Sequence, residues 1–219
     1  MNKKIHILYP KDETTDFLEG VFSNCFEKII VYRFISRENY DDFFEIIRNI
    51  PNDDLIIFLG HGSSSLLSGT ITREFEYKVF ISEYQLKIFE NKTIILVSCR
   101  SNQYLQKFFK ESRIKRAIGF PNLITELEEI ENHDNEEIID IISDIDIENF
   151  RNDLVYFLSK TLEDFINYDL NLKQFFNILK LRINKKIIFH LNKDSSSSVY
   201  ITMLNDLLKD LEYFENYLM

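Results

Sequence analysis

Five short runs of nearly unbroken apolar residues fall within the first 125 positions of this 219-residue chain. They are "KIHILYP" (Lys4 to Pro10), "KIIVYRFI" (Lys28 to Ile35), "DLIIFLG" (Asp54 to Gly60), "TIILVSC" (Thr93 to Cys99) and "RAIGFPNLI" (Arg116 to Ile124). Stretches with helical spacing separate most of them: Phe17, Val21, Phe22 and Cys25, then Phe43, Ile46, Ile47 and Ile50, then "SEYQLKIF" and "NQYLQKFF". A strand with one wet face alternates apolar and polar residues. A strand that is apolar at every position needs both faces covered, as in a parallel sheet between helical layers. The pattern therefore predicts an α/β fold, a three-layer sandwich around a mostly parallel sheet. "TITREFEYKVF" (Thr70 to Phe80) alternates and reads as a hairpin arm.

The remainder is different in kind. Residues 126–149, "ELEEIENHDNEEIIDIISDIDIEN", form an acidic loop or helix insertion, and residues 150–219 read as a helical C-terminal part. Within it "KKIIFHL" reads as one more strand, and "SSSSVYITMLNDLLKDLEYFENYL" is strand-like at first and then helical, so its type stays open. No repeat or composition break marks a second unit, so residues 1–219 are expected to form one domain. At 45% hydrophobic residues, with only five Gly and three Pro, the chain can bury a sizeable core.

The formal net charge of -10 argues against nucleic acid as a partner, because phosphates need a basic stripe. The densest basic cluster, "KESRIKR" (Lys110 to Arg116), reads as a solvated helix end. No run reaches the roughly 18 apolar residues of a membrane span, and the N-terminal apolar run is too short for a signal peptide. Two cysteines do not make a disulfide framework, so a reducing cytoplasm is the expected location.

Chemistry is expected at the carboxyl ends of the strands, where open α/β sheets collect their functional groups. "LIIFLGHGSSS" places His61 just past one strand, and "TIILVSC" places Cys99 at the end of the next. A right-handed crossover brings the two ends to one edge. Imidazole beside thiol is a base beside a nucleophile. Gly62, without a side chain, can aim its N–H with that of Cys99 at a developing oxyanion. The other candidates carry less: Cys25 reads as core, His6, His133 and His190 as structural or solvated, and the three serines lack a Gly-x-Ser-x-Gly elbow. Neither a metal nor an organic cofactor is called for by these residues.

"LIIFLGHGSS" followed by "KTIILVSCRS" resembles the caspase-like cysteine peptidase clan, and is nearest to its separase and bacterial CHAT branch. The likeness runs from about Ile5 to Glu128 and includes "AIGFPNLITELE" after the cysteine. It implies a sheet of about six strands and a cysteine endopeptidase with His61 as base and acid, Cys99 as nucleophile, and Gly62 with Cys99 as oxyanion hole. It also implies a protein substrate cut after a basic residue read by Glu126 or Glu128, an activating or sensor partner, and a place in bacterial defence or programmed cell death. Two readings share part of the pattern: an inactive interaction module, and a thiol hydrolase of small amides.

Both peptidase and hydrolase require Cys99, not Cys25, to be the reactive thiol. Iodoacetamide should label Cys99 faster in mass-spectrometric time courses, and His61→Ala should slow that labelling alone.

Overall fold

The computed structural model describes residues 3–23, 28–126, 142–192 and 198–216. Among them are β1 (Ile5–Pro10), β2 (Ile29–Phe34), β3 (Leu55–Leu59), β4 (Leu66–Ser68), β5 (Val79–Ser82), β6 (Thr93–Val97), β7 (Arg116–Gly119) and β8 (Glu212–Glu215). Six of these make one sheet in the order β2-β1-β3-β6-β7-β8, and β4 pairs with β5 in a separate hairpin. Every neighbouring pair in the large sheet is parallel except β7 with β8.

Both faces are covered, which is why β3 and most of β6 are buried at successive residues. One face carries a 3-10 helix η1 (Glu13–Val21) with α4 (Asp144–Asn167), α5 (Leu172–Leu191) and α6 (Ser198–Asp210). Against it pack Ile7, Ile57, Ile95 and Ile118 from the sheet, facing Leu154, Phe157, Leu179 and Leu204. The other face carries α1 (Arg37–Asp41), α2 (Phe43–Asn49), a second 3-10 helix η2 (Glu83–Phe89) and α3 (Ser101–Ser112). There Leu8, Phe58, Leu96 and Ala117 meet Phe43, Ile47, Phe89 and Leu105. Strand alternation thus sorts odd and even residues into two separate cores.

Local chemistry explains the element starts. Asp12 accepts from Thr14 N–H at the start of η1, Ser82 and Gln85 form a capping box on η2, and Ser143 with Asp146 forms one on α4. Tyr40, buried between helix and hairpin, accepts from Thr70 N–H at 2.8 Å, and burial pushes its phenol up to about 12. It holds the start of the segment that runs on to Arg73.

Several expectations need correction. "KKIIFHL" is not a strand but the last part of α5: Phe175, Leu179, Ile183 and Ile187 are buried at four-residue spacing, while Ile188 and Phe189 stay half exposed. The stretch from Ser198 is helical from its first described residue, burying Val199, Met203 and Leu207. The run from Arg116 is a strand only to Gly119, because the next backbone N–H, on Phe120, turns to Ser101 Oγ. The C-terminal part is not wholly helical either: β8 completes the sheet edge, with Arg116 Nε 2.7 Å from Glu215. Of the acidic insertion, residues 127–141 lie outside the described residues, and the part from Asp144 onward belongs to α4, with Asp146 buried.

Ser101 ties these strands to the turn after β6. It is fully buried, donates to Leu96 O at 2.6 Å and accepts from Phe120 N–H at 2.8 Å. Ser101→Ala leaves two backbone groups without this partner, so urea denaturation should show a loss of about 1–3 kcal/mol with unchanged slope.

Candidate active site

The register of β3 and β6 decides where His61 and Cys99 go. Leu59 pairs with Val97, and Gly60 N–H donates to Val97 O at 3.2 Å just beyond that pair. Two residues past Leu59 is His61, and two residues past Val97 is Cys99. Leu59 and Val97 both face the core beneath η1 and α4, so the alternation sends His61 and Cys99 toward that same face. Observed contacts agree: Cys99 packs against this core, and His61 reaches Thr14 of η1.

Cys99 sits on an abrupt turn from strand to helix. Arg100 follows it at φ 56°, a left-handed backbone conformation that a non-glycine residue adopts at some cost. The turn is held by Arg100 N–H on Pro121 O and Asn102 N–H on Phe120 O, each at 3.0 Å. The half-buried Cys99 thiol donates to Leu123 O at 3.2 Å. Loops after β6 and β7 therefore lock together at this edge.

His61 is held from the other side by the loop after β1. Its Nε2 lies 2.6 Å from Thr14 Oγ1 and 3.7 Å from Asp12 Oδ1. Thr14 Oγ1 in turn donates to Asp12 Oδ1 at 2.6 Å. Neither Asp12 nor Thr14 was singled out in the sequence. The available signal was an Asp-x-Thr helix start directly after the first strand, at the edge where groups collect.

Gly62 approaches the strand that carries Cys99. A Cβ placed on it would lie 2.8 Å from Ser98 Oγ and 3.1 Å from Leu66 O. Gly62 opposes Leu67 in an isolated bridge closed by Ser63 N–H on Leu66 O and Ser68 N–H on His61 O. That pattern leaves the Gly62 N–H outside the bridge's own hydrogen bonds.

An open depression of about 470 Å³ borders His61, lined also by Asp12, Glu13, Thr14, Ile71, Thr72, Arg73 and Glu126. Cys99 lies outside this lining. Three carboxylates against one guanidinium make the depression a better host for a cation than for an anion. Glu126 is held there by Arg151 of α4 at 3.7 Å, and the Arg151 guanidinium stacks 5.3 Å over Phe17. The structure thus places Glu126 in the lining of the same depression as His61, whereas Glu128 and Cys25 lie outside the described residues. His6 is buried and bonds Asp54 at 3.0 Å, and His190 packs on Tyr200; neither lines the depression at His61. A larger cavity of about 550 Å³ lies where β1 and β2 begin, beside Lys3, Lys28 and Asp169, at the end of the sheet away from Cys99. No three His, Cys, Asp or Glu side chains group as metal ligands among the described residues.

Close contact between Gly62 and Ser98 generates a stability prediction. Gly62→Ala should destabilise by about 1–3 kcal/mol in thermal or urea unfolding, and Ser98→Gly in the same chain should recover part of that loss. Additive effects of the two substitutions would place the strand ends apart. The chain matches no protein-family model, and no curated protein matches it.

Proposed function

We propose that this chain is a cysteine endopeptidase of the caspase-like kind, working through His61 and Cys99. The observation that supports it best is the matched register: a histidine and a cysteine two residues beyond paired residues of adjacent parallel strands, on one face. The short motifs around "GHGS" and "VSCRS" support the same reading through their likeness to the separase and CHAT branch.

In the proposed mechanism His61 takes the Cys99 proton, releasing the Leu123 contact. The thiolate adds to the scissile carbonyl carbon, and the oxyanion is held by the N–H groups of Gly62 and Cys99. The imidazolium then protonates the leaving amine, giving an acyl-thioester. His61 next deprotonates water, which attacks the thioester and returns the thiol. None of these steps requires a metal or an organic cofactor.

The acid-rich depression supports a preference for Lys or Arg before the cleaved bond, with Glu126 as reader in place of its Arg151 contact. Its trigger is proposed to come from a partner protein, in a cytoplasmic setting of defence or cell death. No described helix is long and apolar enough to cross a membrane.

A denatured proteome treated with the protein should yield new N termini following Lys or Arg in mass-spectrometric mapping. Cys99→Ala and His61→Ala should each lower that yield about a thousandfold or more. Cleavage that survives Cys99→Ala, or sites dominated by acidic residues, would overturn the mechanism or the specificity respectively.

A further inference from the structure

A carboxylate, a hydroxyl and an imidazole follow one another at the end of β1. Asp12 Oδ1 accepts from Thr14 N–H at 3.0 Å and from Thr14 Oγ1 at 2.6 Å, and Thr14 Oγ1 stands 2.6 Å from His61 Nε2. A threonine hydroxyl has one proton, and an ionised carboxylate can only accept. With that proton on the Asp12 side, the hydroxyl can only accept from the ring.

We propose that Asp12 and Thr14 are positioning residues for His61: Nε2–H donates to Thr14, Thr14 donates to Asp12, and the unprotonated Nδ1 is the nitrogen that takes the Cys99 proton. This inference rests on His61 and Cys99 being the catalytic pair. Asp12 is nine-tenths buried and capped onto η1, so the carboxylate is fixed before substrate arrives. When the ring becomes imidazolium by taking the Cys99 proton on Nδ1, its Nε2 remains 3.7 Å from that carboxylate, whose charge favours the positive ring. The arrangement orients the tautomer as a directly bonded aspartate does in a serine peptidase, with one hydroxyl inserted. Glu13, Arg73 and Glu126 border the same depression and stay unchanged in the variants below.

Nitrogen NMR on chain labelled with ¹⁵N-histidine, with His61→Ala to assign the signal, reads the tautomer without any substrate. Neutral His61 should carry its proton on Nε2 in the wild type. Thr14→Val should abolish that preference and slow iodoacetamide labelling of Cys99 roughly tenfold, while Thr14→Ser restores both. Asp12→Asn, which keeps an acceptor for the η1 cap but removes the charge, should slow labelling to a similar degree. A wild-type proton on Nδ1 overturns the proposal, as does a Thr14→Val chain with unchanged tautomer and labelling rate. Because the wild-type spectrum decides alone, a Thr14→Val chain that fails to fold leaves the test standing. If the tautomer behaves as proposed while cleavage survives Cys99→Ala, the positioning holds and the peptidase reading fails.

Discussion

Parallel pairing of β3 with β6 is the constraint from which the site follows. Five consecutive residue pairs from Leu55 with Thr93 to Leu59 with Val97 set the register, and Gly60 N–H extends the ladder by one bond. A slip by one residue would turn every side chain of one strand to the opposite face. It would drive Ile56 and Phe58 into the wrong core and carry His61 away from the face of Cys99. Burial of both strand faces therefore enforces the register, and the register aligns the histidine with the cysteine.

Around that pair the edge is built by loops that touch one another. After β1, the η1 cap presents Asp12 and Thr14 to the ring. After β6, the left-handed Arg100 turns the chain into α3, and Ser101 binds that turn to β7 through Leu96 and Phe120. After β7, Leu123 receives the thiol and Glu126 reaches the depression. Thr14 with His61, Ser101 with Phe120 and Cys99 with Leu123 are 47, 19 and 24 residues apart, so the geometry of the edge depends on the sheet being assembled.

The helical face has its own buried polar junction. Asp153 of α4 accepts from Tyr200 of α6 and faces Lys186 of α5 at 2.9 Å. Burial holds the Asp153 carboxyl above the usual carboxylate range, although Lys186 and His190 offset part of that cost in a largely apolar layer. The junction connects three helices that cover the sheet beneath His61 and Cys99.

Periodicity alone determined the α/β class, the parallel strands and the residues at their carboxyl ends, because unbroken apolar runs are compatible with few environments. The same local rules misread Lys185 to Leu191, where β-branched residues sit in a helix because a four-residue stripe reaching back to Phe175 finds a core to fill. They also missed β8, since "EYFE" becomes a strand only where the open edge of β7 offers it hydrogen bonds. Tertiary structure alone decided the partners of His61. Asp12 and Thr14 lie nearly fifty residues upstream, and no spacing rule links them to Gly-His-Gly. They meet the ring because β1 and β3 are neighbours in the sheet, and hydrogen-bond geometry, unlike hydrophobic periodicity, exists only once the chain has folded.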